Sequence, residues 1–329
     1  MNYQTKLNEI FKQEIKLEKL NKGLTNDIYL TKVDGIKYVI RIVKDDIDHI
    51  LDSSYERKVL DIVSKYQLDV KEYYYDINTR LRITYYVDVL EYYQTNDSDK
   101  IKRVAKLLKR LHSISPTITN VFDPVKMFEK YYKQIKKPLY DTNKYLDLIN
   151  KINTINNPKV LCHNDLVSGN LLFSNDLDYL IDYEFAALND PLFDIMSFFT
   201  ENDIYDSNLR NEFYQEYFEI LDSKTLNELK IYESFHNLLW LTWANLMYEL
   251  RNDNVYLDIA KNKFYYLEKY YKANQTWLAL LLNFKVILVP TFTLLSISII
   301  ALCKLAPFLT IDKPRPVPPV NLEWLLSTR

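Results

Sequence analysis

The chain has 329 residues, 48% apolar and 26% charged, with a formal net charge of −2. That length and apolar content suffice for a two-lobed protein with real cores, and the near-neutral balance without a basic stripe argues against a nucleic-acid-binding surface. The two cysteines, Cys162 and Cys303, stand far apart, which argues against a disulfide framework and suits a reducing cytoplasm.

The opening stretch MNYQTKLNEIFKQEIKLEKL does not read as a signal peptide, because charges interrupt each apolar run. From about Leu20 to Tyr86 the pattern is that of a small sheet. Ile28 to Val33 and Ile36 to Val43 are β-rich runs joined by Asp34-Gly35, a hairpin signal because both turn positions need positive φ. Period-two alternation puts Lys37, Val39 and Arg41 on one face of the second strand, with Arg41 in reach of a phosphate and Val39 placed to roof a base. Ser53 to Tyr66 reads as a helix with Val59, Leu60, Ile62 and Val63 on its apolar face and Glu56 in its first turn, where the helix dipole favours an acid. Tyr73 to Tyr75 and Leu81 to Val89 give two further strands, and Tyr86 to Glu91 is the expected hinge.

The rest is mainly helical. Asp99 to His112 places Ile101, Val104, Ala105, Leu108 and Leu111 at helical spacing, with Ser98 as the expected cap. No two histidines share a metal-ligand spacing, so His49, His112 and His236 read as structural. Val160 to Glu184, VLCHNDLVSGNLLFSNDLDYLIDYE, is different. Val160-Leu161, Leu171 to Phe173 and Tyr179 to Ile181 are short buried strands, and Ser174 to Asp176 is a turn. This layout brings Asp165, Asn170 and Asp182 to one end, with Glu184 beside them. Phosphoryl transfer needs little more than an acceptor for the hydroxyl proton and oxygen ligands for Mg²⁺; Asp165 suits the first, Asn170 and Asp182 the second. Asp194 follows Pro191 as a first-turn acid, and further on Trp240 and Trp243 lie three residues apart on one helical face. Taken alone, such a tryptophan pair is more often core than ligand wall.

The string HNDLVSGN followed by IDYE, together with the paired-tryptophan helix, resembles the choline/ethanolamine kinase family and the related aminoglycoside phosphotransferases, with HND and IDYE on the side of the bacterial choline kinases. The resemblance runs from about Leu20 to about Ala273. It implies an α+β, protein-kinase-like two-lobed fold, with a small antiparallel-sheet N-lobe and a larger, mainly helical C-lobe. It further implies that ATP and Mg²⁺ are the cofactors, that Arg41 meets phosphate, that Glu56 pairs with Arg41, and that Thr25 and Asn26 belong to a nucleotide-covering loop. His163 is expected to hold the catalytic loop's backbone, and Asp194 resembles the family's buried brace for that loop. Glu201 stands where choline kinases carry an acid lining the alcohol pocket. Trp240 and Trp243 resemble the walls of the family's quaternary-ammonium site, with Tyr183 and Tyr205 as weaker members. A trimethylammonium group donates no hydrogen bonds and is best held by aromatic faces. One departure is that a cage tyrosine often found downstream is replaced by Tyr256 and then Ile259, which leaves ethanolamine or another amino alcohol in competition with choline.

Beyond Ala273 the composition changes. All 28 tyrosines precede it, and the remainder is leucine-rich with a proline cluster at Lys313 to Pro319. Val286 to Cys303 is an uncharged run just long enough for a membrane span, although Pro290 and several hydroxyl residues weaken that reading. A packed helix, an anchor and a foreign extension compete, the last favoured. The expected division is therefore 1–91 as nucleotide-binding lobe, 92–273 as catalytic and substrate lobe, and 274–329 as an extension, the only route to membrane contact in an otherwise cytoplasmic protein. The expected reaction is phosphorylation of choline or a similar small amino alcohol, with Glu184 as a further metal or pocket residue. The alternatives are an aminoglycoside or thiamine as the acceptor, or a membrane-tethered binding protein that has lost catalysis.

Overall fold

In the computed structural model, which describes residues 3–22, 26–44, 53–87, 91–92 and 97–287, helix α1 (Tyr3–Phe11) leads into strands β1 (Glu18–Lys22), β2 (Asn26–Val33) and β3 (Ile36–Val43). After helix α2 (Ser53–Lys65), strands β4 (Glu72–Tyr75) and β5 (Arg82–Tyr85) complete one antiparallel sheet in the order β1-β2-β3-β5-β4. The hairpin forms where the sequence places it. Asp34 and Gly35 take φ of 50° and 83°, the left-handed pair whose twist matches the flanking strands, and Val33 pairs with Ile36. Alternation along β3 sends Tyr38 and Ile40 into a small core with Leu7 and Phe11 of α1 and Leu81 and Ile83 of β5. Burying each such side chain is worth about 1.5–3 kcal/mol. The opposite face carries Arg41 and, directly across the ladder, Arg82.

Those arginines set how α2 can pack. Its polar side meets the charged face of the sheet, whereas Val59, Leu60 and Val63, with Leu68 just beyond, join the core of the larger half. The Leu68 carbonyl accepts the backbone N–H of Leu180 at 2.8 Å, so the backbone fixes what the apolar contacts begin.

The larger half contains β6 (Glu91–Tyr92), α3 (Ser98–His112), α4 (Pro124–Tyr132), α5 (Asp147–Thr154), β7 (Val160–Cys162), β8 (Leu171–Phe173), β9 (Asp178–Leu180), β10 (Ala187–Asn189), α6 (Pro191–Glu201), α7 (Ser207–Tyr217), α8 (Ser223–Arg251) and α9 (Asn254–Ile287). Aspartates start most of these helices. Asp97, Asp123, Asp190, Asp206 and Asp222 each accept a backbone N–H of the first turn, satisfying donors that have no partner inside the helix. Asp97 therefore takes the role expected of Ser98, which lies inside α3. Asn252, at φ 52° and ψ 39°, ends α8. The short strands form two small sheets, β10-β7 and β6-β8-β9.

Among the described residues, no helix is long and apolar enough to cross a membrane. Thr25, residues 88–90 of the expected hinge and all but the start of the Val286–Cys303 run lie outside the described residues.

Candidate active site

The catalytic-loop stretch is shaped by short elements that leave its polar residues at strand ends. After β7 the chain turns through His163 to Val167, makes a single 3-10 turn at Ser168–Asn170, and enters β8. Leu171 pairs with Leu180 on β9, and the Ile181 N–H donates to the Asn170 carbonyl at 3.0 Å, so Asn170 and Asp182 emerge at the same end of one hairpin. The Asn170 amide donates to the Asp165 carbonyl at 3.0 Å and to Asp165 Oδ2 at 3.3 Å. Asp165 is half-buried, open enough to meet a substrate.

Asn164 and Asp182 both sit in the left-handed region, at φ 66° and 67°, a conformation that short polar side chains tolerate because they bond locally. Asn164 does so: its amide donates to the Phe185 carbonyl at 3.0 Å and its oxygen accepts from Asn189 at 2.8 Å. Behind the loop lies Asp194, wholly buried. Its carboxylate accepts the backbone N–H groups of His163 and Asn164, both at 2.7 Å, and lies 3.1 Å from the His112 ring. Ser197 and Asn202 hold Leu166 by its N–H and carbonyl at 3.1 and 2.7 Å. His163 turns its ring inward, Nε2 donating to the Ile181 carbonyl at 2.9 Å. His112, Cys162 and Asp194 converge within 4.8 Å, but hydrogen bonds from the loop backbone engage both Asp194 oxygens, and burial, then the negative charges of Asp194 and Asp190, pushes the Cys162 thiol far up. The trio is a structural brace, a poor set of metal ligands.

The sheet meets this loop through charge. Arg41 donates to Glu56 and, at 2.7 Å, to Asp182 Oδ1. Asn26 donates to Asp182 Oδ2 and Glu184 Oε2, each at 3.3 Å. Burial works against the charge of Glu56, but Arg41, then Arg80 and Arg82, hold its carboxyl below the usual range. Glu184 goes the other way: burial, then the charge of Asp182, pushes it well above the usual carboxylate range despite Arg41. Val39 is half-buried on the same strand face as Arg41. The sequence marked Arg41 and Glu56 as partners but missed Arg80, which comes within 3.7 Å of Glu56 and 3.8 Å of Glu184. Its left-handed backbone, at φ 54°, carries no sequence signal in an arginine.

On the far side of the loop, Trp240 and Trp243 meet edge to face with ring centroids 5.7 Å apart. The Trp240 indole donates to His236 Nε2 at 3.0 Å. Tyr205 stacks on Tyr266 at 3.8 Å and keeps partial exposure. Tyr183 does not belong with them. It is wholly buried, packs on His163 with centroids 4.8 Å apart, and donates its hydroxyl to the Leu68 carbonyl at 3.5 Å; it is core, because the turn after Asp182 directs it inward. Tyr256 is buried too, its hydroxyl accepting from Arg251 at 2.7 Å. Glu201 is engaged by Lys263, 2.8 Å away, a partner that a solitary lysine on a long helix did not reveal.

Residues 17–270 match the protein-family model described as choline/ethanolamine kinase. Over 248 residues the chain is 27% identical to Protein LicA of Haemophilus influenzae, covering 69% of this chain and 72% of that one. The fold is similar to that of the choline kinase LicA from Streptococcus pneumoniae, with a TM-score of 0.69 at 20% identity over 82% of this chain and 100% of that one. It is also similar to an ethanolamine kinase from Plasmodium vivax, with a TM-score of 0.62 at 22% identity over 78% and 82% of the two chains. The architecture is thus the two-lobed, protein-kinase-like α+β fold.

Proposed function

The chain belongs to the choline/ethanolamine kinase family, and from that premise we propose how its residues divide the work. It is an ATP-dependent kinase whose acceptor is the hydroxyl of choline or ethanolamine. The observation that carries the residue assignments is the meeting of Asp165, Asn170, Asp182 and Arg41 at one end of the β8-β9 hairpin.

Asp165 orients the substrate hydroxyl and accepts its proton. Tyr131 of α4 supports this placement: burial, then the negative charge of Asp165, raises its hydroxyl pKa, so a neutral phenol faces the carboxylate. Asn170 and Asp182 offer the hard oxygens that Mg²⁺ takes, and they fit it, since Asp182 already attracts cationic and donor groups on both oxygens. Held there, Mg²⁺ supplies positive charge against the phosphoryl oxygens. Arg41 steadies the nucleotide phosphates, aimed by Glu56, while Val39, Asn26 and Thr25 cover the nucleotide. Asp194 and His163 hold the loop in place. Glu184 lines the same pocket, Trp240, Trp243 and Tyr205 surround the amino-alcohol cation, and Glu201 stands at the edge of that site.

Residues 1–91 act as the nucleotide-binding lobe and 92–273 as the catalytic and substrate lobe, with 274–329 an extension; a family match ending at residue 270 supports that last boundary. The kinase works in the cytoplasm, where its ATP is. The test is ATP consumption with Mg²⁺ and either alcohol. Replacing Asp165 with Ala leaves ATP binding near wild type and lowers turnover by about 10²–10⁴, the usual worth of a positioned base; wild-type turnover would refute the role.

A further inference from the structure

Lys263, on α9, is only 5% exposed, and a lysine that far inside needs acceptors. It has two at the end of α6: Nζ donates to the Thr200 carbonyl at 2.9 Å and to Glu201 Oε1 at 2.8 Å. The same Glu201 oxygen lies 3.5 Å from His236 Nδ1, and the other nitrogen of that ring accepts the Trp240 indole N–H at 3.0 Å. One imidazole therefore separates the tryptophan wall from the Lys263–Glu201 pair. The ring's tautomer follows from its partners. Thr200 Oγ1 donates to the Met196 carbonyl at 2.8 Å and so accepts from His236 Nδ1 at 2.7 Å, which leaves Nε2 as the acceptor for Trp240. The imidazole is neutral and buried, and the charge of Glu201 is answered by Lys263.

We propose that Lys263 is a positioning residue that sets substrate preference: by engaging Glu201 it withholds that carboxylate from the bound amino alcohol and leaves the cation to the faces of Trp240 and Trp243. The inference rests on the kinase reading of the site. A primary ammonium carries three donors and is strongly hydrated, so it needs acceptors in the pocket. A trimethylammonium group needs only aromatic faces. A site whose acid is already paired therefore favours choline over ethanolamine.

The readout is the ratio of kcat/KM for choline to that for ethanolamine. Lys263→Met removes the cation that engages Glu201 and should lower the ratio roughly tenfold, through a lower KM for ethanolamine, the scale of one net hydrogen bond to a charged group. Lys263→Arg should keep the ratio near wild type. Lys263→Met combined with Glu201→Gln, which removes the Glu201 charge together with the lysine that engages it, should restore the ratio whatever the overall rate. A lysine that only stabilises the fold would depress both substrates in parallel, and an unmoved ratio overturns the proposal while leaving the kinase reading intact. If the wild-type chain turns over neither alcohol, the kinase reading falls, and tryptophan quenching by tetramethylammonium and by methylammonium decides the matter on binding alone. Preference for tetramethylammonium that narrows in Lys263→Met supports the role of Lys263; the same response in both proteins overturns it.

Discussion

Asp194→Asn is a change of one atom at the point where the catalytic loop is anchored. Oδ1 accepts the Asn164 N–H and Oδ2 accepts the His163 N–H while facing the His112 ring. Whichever way the new amide turns, its NH₂ confronts one of two backbone N–H groups at a site with no solvent exposure. One buried donor left unsatisfied costs about 1–3 kcal/mol, and the bonds that remain lose their charge assistance, about 1 kcal/mol more. The sum, about 3 kcal/mol, is a large part of a typical stability of about 5–15 kcal/mol. With urea slopes of about 1–3 kcal/mol/M, the unfolding midpoint should fall by about 1 M or more. Under conditions where the variant is folded, kcat should fall about 10²-fold, because a shift of an ångström at the reacting centre costs that much. A midpoint within about 0.3 M of wild type, with kcat unchanged, would refute the reasoning and hand the anchoring to Ser197 and Asn202.

Arg41→Lys keeps the charge but cannot bridge two carboxylates with one planar fork; kcat/KM for ATP should drop about tenfold or more in steady-state assays, and an unchanged value would remove Arg41 from the phosphate site. At Asn164 the usual ranking of substitutions should invert: with φ at 66°, Asn164→Ala should be less stable than Asn164→Gly by about 1 kcal/mol in urea melts, since only glycine takes this backbone without strain. Burial depresses His236 to a pKa of about 3, well below its unfolded value. The unfolded chain therefore binds the proton first as pH falls, and this residue's share of stability is complete above about pH 6.5 and lost on the way down toward 3. Between pH 7 and 5 it should account for about 2 kcal/mol of lost stability; His236→Gln should flatten that slope, and an equal slope in both proteins would show that the ring is protonated when folded.

The parts of this molecule that were legible in the sequence are those where local chemistry leaves few options. Asp34-Gly35 dictates a hairpin, and the spacing of HND, Asn170 and IDYE dictates a strand-turn-strand. The partnership of Arg41 with Glu56 follows from family resemblance, and the two side chains do meet. What was hidden depends on which way a ring or a lysine turns once packed. Tyr183 looks like a pocket aromatic because it adjoins Asp182, yet the 3-10 turn that positions Asp182 points the next side chain into the core. Lys263 sits sixty-two residues from Glu201, and no periodicity links them. Arg80 and Asn189 were missed for the same reason, since their partners come from other elements.

The allegiance of α2 bears on how the protein can be cut. Val59, Leu60, Val63 and Leu68 belong to the larger core, although they lie on the N-terminal side of the expected hinge, so the seam between the halves does not coincide with any single position along the chain. A fragment ending at residue 91 would carry a helix whose apolar side has lost its partners, and the complementary fragment would have an open groove beside Leu180. Two such pieces, each insoluble alone, should recover when co-expressed, because the Leu68–Leu180 backbone bond and the apolar contacts around it need no peptide connection. Split versions of this kinase are therefore better divided at the exposed Glu219–Ile220 step, which belongs to neither core, than at the boundary that lobe anatomy suggests.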